Sequence, residues 1–146
     1  MQELLLPTEL HDRLVSISRA ALPNEACGLL GGSRAGELVT VTSVHPVKNS
    51  LASPTRFALD GQGMIDAEHK IDDADEMLVG AWHSHPTSSP VPSETDLADA
   101  AIYDPSGSML QVLVSMQGFA PQVRAYRYGA ADDPTLRKYW LVRIGS

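Results

Sequence analysis

The segment that most constrains this chain is the run MLVGAWH, residues 77 to 83, together with the loop sequence on its C-terminal side. The run is apolar up to its histidine and too short for a typical helix, so it reads as a central buried strand. Directly after it the composition turns to SHPTSSPVPSETD, with three prolines and four serines. A stiff, polar loop running over the surface is the expectation for such a segment. The chain must therefore bury one strand in a sheet and bring its histidine-bearing end out to a loop.

The flanking sequence supplies the rest of that sheet. Thr8 is placed to cap a first helix, with Leu10, Leu14, Ile17 and Ala21 at helical spacing and Pro23-Asn24 ending it. EACGLLGG, residues 25 to 32, reads as a buried strand in which Ala26 and Gly28 let a neighbouring backbone come close. After the turn chemistry of Arg34-Ala35-Gly36, ELVTVTSVHPV alternates with β-branched residues and forms a second strand. NSLASP is a loop and RFAL a short third strand. Asp60 offers an N-cap for a helix to about Asp75, with Met64, Ala67, Ile71 and Ala74 on its apolar face and acids on the other. Beyond the proline-rich loop come a helix over Ser93 to Tyr103, a turn at 104–107, and the strand MLQVLVSM. QVRAYRY pairs with that strand across Gln117–Pro121, and TLRKYWLVRI fits either a last strand or a helix. With no repeat and no internal boundary, residues 1–146 read as a single α/β domain.

Charge and cysteine content narrow the function. Lys and Arg number 11 against 18 Asp and Glu, a net charge of −7. That balance argues against a nucleic-acid partner, which demands a concentrated basic surface. No apolar stretch approaches a membrane span, and MQELLLPTEL is unlike a signal peptide. A lone cysteine, Cys27, forms no internal disulfide and suits a reducing, cytoplasmic setting.

The chemistry concentrates in His83-Ser84-His85-Pro86, followed after six residues by Ser93 and then Asp96. Residues two apart on a strand share a face, so His83 and His85 project together while Trp82 and Ser84 point the other way. Asp96 falls in the first turn of the next helix, where it can complete the set. Two histidines and a carboxylate are a zinc set that leaves a fourth position for water, the mark of a catalytic rather than a structural site. Such a water is acidic enough to supply hydroxide at neutral pH. Hydrolysis also needs a general base and an oxyanion donor. Ser93 is near enough to serve as donor, and Glu25, at the mouth of a buried strand among small residues, suits the base.

Glu25, His83-x-His85-Pro86 and Ser93-x-x-Asp96, with ten residues between His85 and Asp96, resemble the signature of the JAMM (MPN+) zinc metallopeptidases. EACGLLGG and the order of strands and helices extend the resemblance over nearly the whole chain. It implies His83, His85 and Asp96 as zinc ligands, Glu25 as general base and Ser93 as the oxyanion-stabilising hydroxyl. It implies a fold like that of the cytidine deaminases, a curved mixed β-sheet flanked by helices with one zinc at the sheet's edge. NSLASPTRFALD, residues 49 to 60, is similar to a stretch of the bacterial branch that serves sulfur carriers. The implied partner is then a ubiquitin-like sulfur-carrier protein with a C-terminal Gly-Gly, from which cysteine or a short extension is released. The oligomeric state is left open, a homodimer included.

Plainer readings stand beside these. His83 and His85 could be a surface pair, and Glu25 an ordinary exposed acid. Ser93 with Asp96 three residues on also reads as a capping box, a role that should compete with metal ligation. Cys27 shares a face with Glu25 and is either a buried small hydrophobe or a thiol that ligates or attacks. His11, His45 and His69 read as surface or loop residues. Arg124, Arg127, Arg137, Lys138 and Arg143 could dock an acidic carrier or simply cover a solvated face. Two other functions remain open: an isopeptidase removing ubiquitin-like tags from lysines, and a metal-free scaffold module. A zinc nucleoside deaminase needs H-x-E and P-C-x-x-C, which one cysteine cannot provide.

Overall fold

Residues 2–129 and 137–145 are described by the computed structural model. They form β1 (Glu3–Leu6), α1 (Thr8–Ala21), β2 (Cys27–Ala35), β3 (Leu38–Val47) and α2 (Gly61–Asp73). Then come β4 (Met77–His85), α3 (Glu94–Tyr103), β5 (Leu110–Ser115), β6 (Gln122–Tyr128) and β7 (Arg137–Ile144). The mixed sheet runs β1-β3-β2-β4-β5-β6-β7, and β7 pairs back onto β1, so its curvature carries it to closure.

The apolar run at 77–83 is explained by its place in that order. β4 lies between antiparallel β2 and parallel β5, and every residue from Val79 to His85 is buried. Side chains alternate between two cores. Leu30 of β2, Val44 of β3 and Trp82 of β4 face inward with Leu4, Leu14 of α1 and Trp140. Leu29, Val47 and Ala81 face outward under Ala67 and Ile71 of α2. The outward face of β4 therefore runs Ala81, His83, His85, on the helical side of the sheet. Gly28 is glycine for close approach, since a Cβ there would run into the His45 carbonyl and the Trp82 indole.

Most expected elements form, and the departures have local causes. Thr8 opens α1 but does not cap it: Pro7 holds the cap position, and its carbonyl accepts from the amides of Leu10 and His11. Asp60 caps α2 as expected, through Gly63 N–H at 2.9 Å. RFAL is not a strand. The Asn49 side chain takes up the Arg56 carbonyl and the Ala58 amide, leaving only an isolated Asn49–Leu59 bridge. The last segment resolves as β7, antiparallel to β6 and parallel to β1. Among the described residues no helix is long and apolar enough to cross a membrane.

Candidate metal centre

The end of β4 delivers His83 and His85 to one face, as the alternation demands, and both rings are buried. The chain leaves through the proline-rich segment, which three hydrogen bonds pin down. Ser89 O accepts from His85 Nδ1 at 2.8 Å, Ser88 O from the Ser115 hydroxyl at 2.7 Å, and Pro90 O from the Tyr126 hydroxyl at 2.6 Å. It returns at Ser93, the N-cap of α3, and one turn later Asp96 is buried beside the histidines. Asp96 Oδ1 lies 3.3 Å from His83 Nε2, and Oδ2 lies 3.0 Å from His85 Nε2. The two Nε2 atoms are 3.2 Å apart, and one ligand atom from each of the three residues falls within 4.8 Å of the others.

Asp96 makes both bonds of the capping box and at the same time faces the two histidines. Asp96 N–H donates to Ser93 Oγ and Ser93 N–H to Asp96 Oδ2, both at 3.0 Å, while the carboxylate still faces both imidazoles. Ser93 is exposed, and because its oxygen accepts in the cap, its hydroxyl proton is free to be donated.

Phe57 stacks on His83 with centroids 4.4 Å apart and planes at 25°, and Tyr103 meets Phe57 edge-on at 6.3 Å. These contacts fix the His83 ring plane. They were not evident from sequence, where Phe57 read as part of a strand; its signal was an aromatic within an otherwise loop-like SPTRF segment. His85 is oriented by Ser89 instead: a carbonyl only accepts, so the neutral ring carries its proton on Nδ1 and turns the Nε2 lone pair toward the centre.

Glu25 lies two residues before β2. Cys27 pairs with His83 in the β2–β4 register, and Ser84 N–H donates to Ala26 O at 2.9 Å, which sets Glu25 across from His85. Its side chain is buried and Oε1 has no hydrogen-bond partner. Burial pushes its carboxyl up to about 8; His85 opposes the rise, and Asp96 and Asp99 add to it. Burial would raise Asp96 as well, but hydrogen bonds and charge from His83 and His85 outweigh it and hold that carboxyl far below the usual range. Burial lowers His83, whereas Asp96 and the Ser89 carbonyl overcome burial and raise His85. A buried carboxyl with Oε1 unpartnered that feels the charges of His85, Asp96 and Asp99 is a strongly perturbed group of the kind found at reactive sites.

The thiol of Cys27 is buried, donates to Val47 O at 3.3 Å, and is pushed up to about 12 by burial and by Glu25. It is a neutral core group, not a thiolate. His45, expected at the surface or in a loop, is half-buried in β3 with Nε2 2.7 Å from Ser43 Oγ, which itself donates to Glu76 at 2.7 Å. Of the basic residues near the end of the chain, Arg127 donates to Gly107 O and Arg143 sits 3.6 Å from Glu3. The side chains of Arg137 and Lys138 lie outside the described residues.

Two imidazole Nε2 atoms and a carboxylate converging on one point fit a zinc ion, whose preferred ligands are nitrogen, sulfur and carboxylate oxygen. Residues 7–127 match the family described as prokaryotic homologs of the JAB domain. The chain belongs to that family. This JAB-domain protein is thus kin to JAMM-type peptidases, the family that the sequence resembles. It is 38% identical over 98 residues to a desampylase of Haloferax volcanii, the match covering 64% of this chain and 69% of that protein. It is 33% identical over 95 residues to a CysO-cysteine peptidase of Mycobacterium tuberculosis, covering 64% and 63% respectively. Against the solution structure of protein DSY2949 from Desulfitobacterium hafniense the TM-score is 0.83 at 28% identity, over 97% of this chain and 92% of that one. The chain thus spans about two thirds of the curated relatives it matches and nearly all of the structural one.

Proposed function

We propose that this JAB-domain protein is a zinc-dependent hydrolase that cuts after the C-terminal Gly-Gly of a ubiquitin-like sulfur carrier, releasing cysteine or a short extension. The observation that carries the reading is the convergence of His83 Nε2, His85 Nε2 and the Asp96 carboxylate, with the buried Glu25 carboxyl and its unpartnered Oε1 in the same site. His83, His85 and Asp96 would hold the ion. Zinc, when bound, supplies a Lewis acid that makes water acidic enough to ionise near neutral pH.

The remaining work falls to this chain's own side chains. Glu25 accepts the proton of the attacking water and later delivers it to the departing amine, so the carboxyl ends the cycle as it began. The Ser93 hydroxyl donates to the carbonyl oxygen as negative charge develops there. Phe57 and the Ser89 carbonyl hold the two imidazoles in place throughout.

The kinship to a desampylase supports a second reading, an isopeptidase acting on ubiquitin-like proteins joined to lysine. Incubation with a carrier–cysteine fusion and, separately, with a lysine-linked conjugate discriminates the two. Turnover of the fusion is expected, and turnover of the conjugate alone would replace the first reading with the second. Metal analysis of purified protein addresses the scaffold alternative, which predicts far less than one equivalent of zinc.

A further inference from the structure

Glu25 sits outside the sheet's ladder, yet a general base must be held to within a fraction of an ångström. β2 begins only at Cys27, and Ala26 is the last residue before it that β4 holds, through Ser84 on both its amide and its carbonyl. The two backbone polar groups of Glu25 go elsewhere. Its N–H donates to Ser53 O at 2.9 Å, and its carbonyl accepts from Asn49 Nδ2 at 3.1 Å. Both partners belong to the 49–59 segment, the one that also places Phe57 over His83.

Within that segment Asn49 is the organising residue. Nδ2 donates to Glu25 O at 3.1 Å and to Arg56 O at 3.2 Å. Oδ1 accepts from Leu51 N–H and from Ala58 N–H, each at 3.1 Å. An amide offers two donors and two lone pairs, and all four are spent on backbone groups. Oδ1 and the Nδ2 bond to Arg56 O close the loop on itself, and the other Nδ2 bond ties the closed loop to Glu25. The neighbouring Ser50 hydroxyl, by contrast, reaches only Ala58 O, at 3.3 Å, and touches nothing on Glu25.

We propose that Asn49 is a positioning residue for Glu25, acting through the Nδ2 bond to the Glu25 carbonyl; this rests on the reading of Glu25 as the base. Asn49→Asp keeps both acceptors, so Leu51 and Ala58 still close the loop, and it loses both donors, the tie to Glu25 together with the bond to Arg56 O. The expected result is a fall in kcat of about 10- to 100-fold with KM within about twofold. In a Glu25→Gln background the same substitution costs nothing further, since the group it positions is already gone. Amide hydrogen exchange of the metal-free protein supplies a readout apart from turnover. Glu25 N–H should exchange at least about tenfold faster in Asn49→Asp, while Ser84 N–H, bonded to Ala26 O, keeps its protection. Ser50→Ala should leave turnover and Glu25 exchange unchanged. The proposal is overturned if Asn49→Asp turns over at the wild-type rate, if its loss multiplies with that of Glu25→Gln, or if Glu25 N–H stays protected. Full turnover in Glu25→Gln alone would instead remove the base reading, and the exchange data would still decide whether Asn49 holds the Glu25 backbone.

Discussion

Replacing Glu25 by Gln should make the metal-free protein more stable and the loaded enzyme inert. The Glu25 carboxyl, ordinarily at 4.5, is raised to about 8 because burial penalises its charge. A group whose proton affinity is higher folded than unfolded contributes fully below its unfolded value, and that contribution is lost as pH rises through its folded value. The penalty is therefore absent near pH 4, grows through neutrality, and is complete above about pH 8. At ~1.4 kcal/mol per pH unit the ceiling is about 5 kcal/mol. Screening by solvent at the cleft mouth reduces this to roughly 2 kcal/mol. For a chain of this size that is a rise of about 4–8 °C in Tm. The assay is thermal unfolding of chelator-treated wild type and Glu25→Gln at pH 5 and pH 8.5. The variant should gain at pH 8.5, gain less at pH 5, and lose the advantage when zinc is restored, because a nearby cation stabilises the carboxylate. Melting temperatures that run parallel at both pH values would refute the account of a buried, unpaired acid, as would a loaded variant with normal turnover.

Zinc removal acts in the opposite direction. At a free concentration of about 100 times its dissociation constant the ion adds ~2.7 kcal/mol, so chelation should lower Tm by about 5–11 °C. No change on chelation, followed by calorimetry, would speak against the His83, His85 and Asp96 site. Ser93→Ala should cost ~10²–10³-fold in kcat from the lost donor, and about 1 kcal/mol of stability from the lost cap. Ser93→Thr retains both functions, so a threonine variant as impaired as the alanine one would show that the hydroxyl is not the active element. Cys27→Ala should turn over within about twofold of wild type while losing roughly 1 kcal/mol from the small void. Abolition of activity there, measured beside a chelator control, would restore a thiol mechanism.

The strand at 77–83 was legible because its neighbours on both sides favour an apolar run up to His83, as a sheet interior does. The pairing of His83 with His85 followed from the two-residue period alone, and Asp96 from its place in a helix start. The failures share a cause. RFAL has a strand's composition, but the Asn49 amide competes for its backbone groups, and side-chain competition of that kind leaves no mark on hydrophobic patterning. The role of Phe57 was hidden for the same reason: stacking on His83 depends on where a non-repetitive loop lands, which no periodicity encodes. Thr8 misled because a proline immediately before it fits the cap position by conformation and needs no side-chain oxygen. Glu3–Leu6 was too short to announce itself as a strand, and its pairing with β3 and β7 is a consequence of the sheet's closure.

The capping box at Ser93 bears on how the candidate metal centre is assembled. A carboxylate has about four lone-pair sites, so Asp96 can satisfy the Ser93 amide and still face two imidazoles. The positive end of the α3 dipole and its first amides also favour negative charge at this position. Folding of the helix therefore selects one rotamer of Asp96 and keeps it ionised before any ion arrives. His83 and His85 are held in the same way, by Phe57 on one side and the Ser89 carbonyl on the other. An ion entering such a site has little side-chain ordering left to impose, and affinity rises chiefly by that saving. The ordinary helix start and the candidate metal site are then one device: the bonds that begin α3 are the bonds that aim Asp96.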